Sequence, residues 1–106
     1  MNKFNELGVG AVLVNALTKI GINEPTPIQA ATIPVAMQGR DVLGSAATGT
    51  GKTLAFSVPM VDALLRDSNR KALILVPTRE LAQQVTKAVT DLATGEAKLP
   101  IAMLIG

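Results

Sequence analysis

An α/β fold with a parallel sheet is what this sequence predicts, and three observations carry the prediction. Apolar runs suited to buried strands alternate with segments of helical period along the chain. A glycine-bracketed loop, Ala46-Ala47-Thr48-Gly49-Thr50-Gly51-Lys52-Thr53, follows directly on the apolar run Val42-Leu43-Gly44-Ser45. Prolines and glycines fall where such elements should change over.

Val9, Val12, Leu13, Ala16, Leu17 and Ile20 keep helical spacing, which predicts a helix over 9–20 ended by Gly21. Pro25 and Pro27 make 21–27 a loop. Pro27 suits the first turn of a second helix over 27–38, with Thr26 as its N-cap and Gly39 closing it. A strand over 41–45 leads into the glycine loop. The helix that leaves the loop near Gly51 meets Pro59, where a kink or break is expected, and runs on to about Asp67. Ser68-Asn69-Arg70 reads as a turn.

Ala72 to Val76 is unbroken apolar sequence, as expected of a strand covered on both faces. Pro77-Thr78 ends it, and a helix over 79–93 follows with Leu81, Val85, Ala88 and Leu92 on one side. Gly95 closes that helix, and Ile101 to Ile105 is a third apolar run. Strand, helix, strand, helix, strand in this order implies parallel strands joined by right-handed crossovers. Three such strands alone leave unpaired edges, so the expectation is a truncated domain.

The loop at 46–53 carries the chemistry. Gly49 and Gly51 let the backbone curl so that N–H groups converge on an anion. Lys52 adds a mobile positive charge, and Thr53 offers a hydroxyl suited to magnesium. The helix that begins there contributes the positive end of its dipole at the same place. The general phosphate-loop pattern begins with Gly, whereas this loop begins with Ala46.

Composition sets bounds on other readings. The chain has 106 residues, the size of one domain or part of one, and 48% hydrophobic content supports a core. It has no cysteine and no histidine, which excludes a disulfide framework, thiolate metal sites and imidazole ligands. Cysteine-free composition fits a reducing compartment, so a cytoplasmic location is expected. A net charge of +2 with scattered Lys and Arg permits a nucleic-acid partner without demanding one. No apolar stretch approaches a membrane span, so no membrane partner is expected. Lys3 followed by Gly8–Leu13 faintly resembles a secretory signal, but helical spacing and the interrupting Glu6 and Asn15 favour an amphipathic helix.

Two further segments gain meaning beside the loop. One is Gly21-Ile22-Asn23-Glu24-Pro25-Thr26-Pro27-Ile28-Gln29, with Phe4 seventeen residues ahead of Gly21; the other is Pro77-Thr78-Arg79-Glu80-Leu81. In order and spacing the three resemble the Q motif, motif I and motif Ia of DEAD-box ATP-dependent RNA helicases, of bacterial type. The resemblance runs from Phe4 to Gly106, with the Q motif at 4–30, the phosphate loop at 46–53 and motif Ia at 77–81. It implies a P-loop NTPase, RecA-like three-layer fold, here the N-terminal portion of the first helicase domain. The rest of that domain and the whole second domain lie outside this sequence.

The resemblance also assigns roles. Gln29 resembles the family glutamine that pairs with the adenine edge, with Phe4, Ile22 and Pro27 beside the base. An amide can indeed accept from adenine N6 and donate to N7 at once. Ala46, Ala47, Thr48, Gly49, Thr50 and Gly51 would wrap the phosphates of ATP. Lys52 would contact the β- and γ-phosphates, and Thr53 would hold Mg2+. Pro77, Thr78 and Arg79 resemble residues that grip the backbone of single-stranded RNA, a contact without sequence information. Phe56, the second aromatic, reads as core on the apolar face of the loop helix.

Ile22 departs from the aromatic usual at its position, and Ala47 from the usual Gln. Hydrolysis needs a carboxylate at a strand end, and only Asp62 follows four apolar residues here, inside the loop helix. These 106 residues alone are therefore expected to bind ATP weakly at best and to hydrolyse none. The alternatives to a helicase are another P-loop NTPase, such as a nucleotide kinase, and a non-catalytic RNA-binding or interaction module.

Overall fold

A computed structural model describes residues 2–38, 51–67, 69–93 and 99–102. Four α-helices follow a short 3-10 helix at Lys3–Leu7: α1 at Ala11–Lys19, α2 at Pro27–Met37, α3 at Lys52–Arg66 and α4 at Arg79–Leu92. The helix expected at 9–20 starts later, because Gly10 in extended backbone is its N-cap. The 3-10 turn ahead of it went unforeseen. Asn2 nucleates that turn by accepting from the Phe4 N–H at 3.0 Å.

Thr26 and Gln29 begin α2 as a reciprocal capping box. The Gln29 N–H donates to Thr26 Oγ1 at 3.4 Å, and the Thr26 N–H donates to Gln29 Oε1 at 2.9 Å. Pro27 fills the first helical position, where a missing N–H is harmless. α4 has only the forward half of such a cap, Thr78 Oγ1 accepting from the Leu81 N–H at 3.1 Å.

Pro59 does not break its helix. α3 continues from Lys52 to Arg66 with Pro59 inside it, and α2 likewise holds Pro34. An interior proline costs about 3 kcal/mol. Val58, Pro59 and Val61 are all buried, and each of the two valines gives back roughly 1.5–3 kcal/mol. Packing therefore wins over local propensity. Phe56 falls off the buried stripe of α3 and is 42% exposed, contrary to its reading as core.

One core unites the helices. Leu13 and Leu17 of α1, Ile33 of α2, Val58 and Val61 of α3, and Val89 and Leu92 of α4 meet around Phe4. The α3 helix thus lies against all three others.

The parallel sheet is not formed among the described residues. The expected strand at 41–45 lies outside them, as does most of 101–105. Residues 71–76 carry no ladder, since a strand exists only through its neighbours' hydrogen bonds. Their exposure alternates: Leu73 and Leu75 are 83% and 84% exposed, whereas Ile74 and Val76 are half-buried. One face of this segment is half-buried and the other stands open. The two-sided burial expected for it does not hold in this structure.

Candidate nucleotide site

The site grows from the meeting of two helix starts. Gly51 is the N-cap of α3, with φ 92° and ψ 20°, a left-handed conformation that only glycine adopts freely. Having no side chain, Gly51 leaves the first N–H groups of α3 without a side-chain acceptor. Lys52 is exposed at the first helical position and Thr53 half-buried at the second. A helix N-terminus with no side-chain cap among the described residues, beside a lysine, is suited to holding a phosphate.

Gln29 reaches this seat from α2. It is only 2% exposed, and its Nε2 donates to the Gly51 carbonyl at 3.1 Å. The orientation of the amide is forced, because the Thr26 N–H can only donate and the Gly51 carbonyl can only accept. Among the described residues, one lone pair on Oε1 and one N–H on Nε2 have no further partner. That remainder matches an adenine edge in chemistry, an acceptor for N6 and a donor for N7, although the side chain is as enclosed in this structure as that of Phe4. The described residues therefore offer a helix start suited to phosphate at Gly51–Thr53 and, beside it, a fixed amide with the donor and acceptor that an adenine would use.

The other expected residues fall as follows. Ala46, Ala47, Thr48, Gly49 and Thr50 lie outside the described residues. Ile22 is half-buried against the core, with its carbonyl accepting from Asn2 Nδ2 at 2.8 Å. Pro27 is exposed at the start of α2. Phe4 is wholly enclosed by the core, so no face of its ring is open to a base, and in this structure it anchors the N-terminal segment. Among the described residues there is no cluster of three metal-ligating side chains, and no helix is long and apolar enough to cross a membrane.

Pro77, Thr78 and Arg79 form a second, separate feature at the start of α4. All three are exposed, and Arg79 occupies the first helical position. They line a cleft of about 630 Å³ whose other walls include Ile74, Val76 and Val89. Those three walls are apolar, and the polar groups offered to an anion among the described lining residues are the helix start, Arg79 and the hydroxyls of Thr78 and Thr86. Sequence reasoning missed Asn2, Arg66 and the structural role of Asp62. An acid within an apolar helix stripe, with an arginine four residues on, was the signal for the last two.

Comparison with known proteins decides the family. The family model described as DEAD/DEAH box helicase matches residues 26–106. The chain belongs to the DEAD/DEAH box helicase family. It is 45% identical over 108 residues to the ATP-dependent RNA helicase dbp10 of Schizosaccharomyces pombe, a match covering 99% of this chain and 13% of that protein. The RNA helicase Prp28 of Chaetomium thermophilum, solved bound to ADP, superposes with a TM-score of 0.86 at 38% identity. That match covers all of this chain and 27% of the Prp28 chain. A DEAD box protein of Methanococcus jannaschii gives a TM-score of 0.77 at 37% identity, over 84% of this chain and 25% of its own.

This DEAD-box chain thus spans about an eighth to a quarter of the length of the relatives it matches. The structural neighbours support the P-loop NTPase fold expected from the sequence. The expected bacterial type gains no support, since the 45% identical relative is eukaryotic.

Proposed function

We propose that the intact protein is an ATP-dependent RNA helicase, in which these residues bind the nucleotide and make the first contact with single-stranded RNA. The observation that supports the reading is the Gln29–Gly51 hydrogen bond, which joins the amide assigned here to the base to the helix start assigned here to the phosphates. A relative solved with ADP and another named as an ATP-dependent RNA helicase support the same chemistry.

In this reading Gln29 selects adenine, and the first N–H groups of α3 with Lys52 hold the β- and γ-phosphates. Thr53 holds Mg2+, directly or through water. Bound ATP supplies the anhydride whose cleavage resets the enzyme. Arg79, with Pro77 and Thr78, holds RNA phosphate at the start of α4 without reading bases. Local strand separation and hydrolysis belong to the intact protein, in which a strand-end carboxylate completes the Mg2+ site. Family membership sets aside the nucleotide-kinase alternative.

RNA-stimulated phosphate release by the intact protein tests the reading. Release that depends on RNA and disappears in Lys52→Ala supports it. RNA binding that persists with no nucleotide turnover, and is unchanged in Lys52→Ala, would replace it with a non-catalytic RNA-binding module.

A further inference from the structure

The two ends of α3 are tied to the same nucleotide-facing segment by different routes. At the N-terminal end, Gly51 is held by Gln29. At the other end, Asp62 is 3% exposed and its Oδ1 accepts from the Gly10 N–H at 2.9 Å. Its Oδ2 accepts from Arg66 Nε, and Arg66 Nη2 donates to the Gly8 carbonyl at 3.2 Å. A Cβ on Gly10 would stand 3.0 Å from Asp62 Oδ1, so glycine permits this approach.

From Gly8 and Gly10 the connection runs back through the N-terminal segment. Phe4 is sunk in the core, and the Lys3 N–H donates to the Asn23 carbonyl at 2.8 Å. Asn2 Nδ2 donates to the Ile22 carbonyl and, at 3.0 Å, to Thr18 Oγ1. Lys3 also pairs with Glu24 at 3.1 Å. Residues 22–24 lead directly into the Thr26–Gln29 capping box. The hydrogen bonds therefore close a ring: Gly51, Gln29, the 22–26 loop, residues 2–10, Asp62 and Arg66, then α3 back to Gly51.

We infer that Asp62, with Arg66, is a positioning residue for adenine recognition, acting through the N-terminal segment 2–10 on the loop that presents Gln29. This rests on the proposed nucleotide reading. A closed ring of hydrogen bonds holds the amide and the phosphate seat at one separation, and opening it at Asp62 lets the 22–26 loop shift relative to α3. Coupling energies along such contiguous networks change affinity by roughly 2- to 30-fold. Removing Asp62 disturbs the base end of the nucleotide while the phosphate seat at Gly51–Thr53 stays intact, so adenine preference falls as well as affinity.

Fluorescent ADP and GDP analogues titrated into the intact protein test this, with thermal melting alongside. Asp62→Ala is expected to weaken ADP binding about fivefold and to lower the ADP-over-GDP ratio. Asp62→Asn keeps an acceptor for the Gly10 N–H and is expected to retain most of the ratio. Arg66→Gln alters a side chain that is 61% exposed, folds without opening the core, and is expected to lower the ratio less than Asp62→Ala. A lowered melting point with an unchanged ratio in both Asp62→Ala and Arg66→Gln overturns the inference alone. Failure of the unaltered protein to prefer ADP overturns the nucleotide reading and this inference with it.

Discussion

The side-chain amide of Gln29 donates to the backbone carbonyl of Gly51 at 3.1 Å, across 22 positions of sequence. Through this bond the first turn of α2 and the first turn of α3 share one polar group. The group that would inspect a base is thereby set in a fixed place relative to the N–H groups that would hold its phosphates.

Replacing Gln29 separates its two duties. Gln29→Ala removes half of the capping box, at a cost of about 1 kcal/mol, and frees Gly51. Discrimination between ATP and GTP is expected to fall by roughly 1–3 kcal/mol, the worth of a bidentate base contact. Gln29→Glu still accepts from the Thr26 N–H but has no donor for the Gly51 carbonyl, so it is expected to lose selectivity too. Competition binding with the two nucleotides checks both variants. Equal selectivity in the unaltered and Gln29→Ala proteins would refute the assignment.

Gly51 admits no side chain. A Cβ there would overlap Gln29 Nε2 and stand 2.8 Å from Thr26 Oγ1, at a φ of +92°. Gly51→Ala is expected to cost about 1–2 kcal/mol from the left-handed backbone alone, with more from displacing the amide. Urea denaturation measures the stability, and a nucleotide titration should show saturable binding lost at concentrations that saturate the unaltered protein.

Ser57 is the opposite case. Its hydroxyl is buried in α3 with no hydrogen-bond partner among the described residues, a condition that costs roughly 1–3 kcal/mol. Ser57→Ala is expected to stabilise the intact protein by about 1 kcal/mol in urea denaturation while leaving nucleotide affinity unchanged. A loss of stability would show that the hydroxyl has a partner in solution.

Arg79 is exposed at a helix start, and in the proposed reading it would contribute charge and no base reading. Arg79→Ala is expected to weaken RNA binding to a similar degree for every sequence tested. The salt dependence of binding should fall by about one ion. Fluorescence anisotropy with two unrelated single-stranded RNAs over a salt series measures both effects. A sequence-selective loss would contradict backbone contact.

Local chemistry was legible in the sequence, and distant chemistry was not. Thr-Pro-Ile-Gln spelled out the start of α2 because a capping box and an N-terminal proline act within one turn. Thr78 announced α4 for the same reason. Pro59 misled, since its local penalty is plain in sequence while the burial of Val58 and Val61 that offsets it depends on neighbours far along the chain. The apolar run at 72–76 read as a strand covered on both sides, but a ladder and a second cover need partners, and Leu73 and Leu75 stand exposed. Phe4 resembled a base platform by its spacing, yet its ring completes the core. The Asp62–Gly10 bond joins positions 52 apart, and no periodicity in the sequence encodes such a contact.

The most direct test follows the Gln29 side-chain amide itself by nitrogen-15 NMR of the intact protein during titration with Mg-ADP and with Mg-GDP. The account predicts a saturable shift of the two amide proton signals with ADP and little movement with GDP, while the Gly51 and Lys52 backbone signals respond to both. Saturable ADP binding that leaves the Gln29 amide unmoved, or identical shifts with either base, would contradict it.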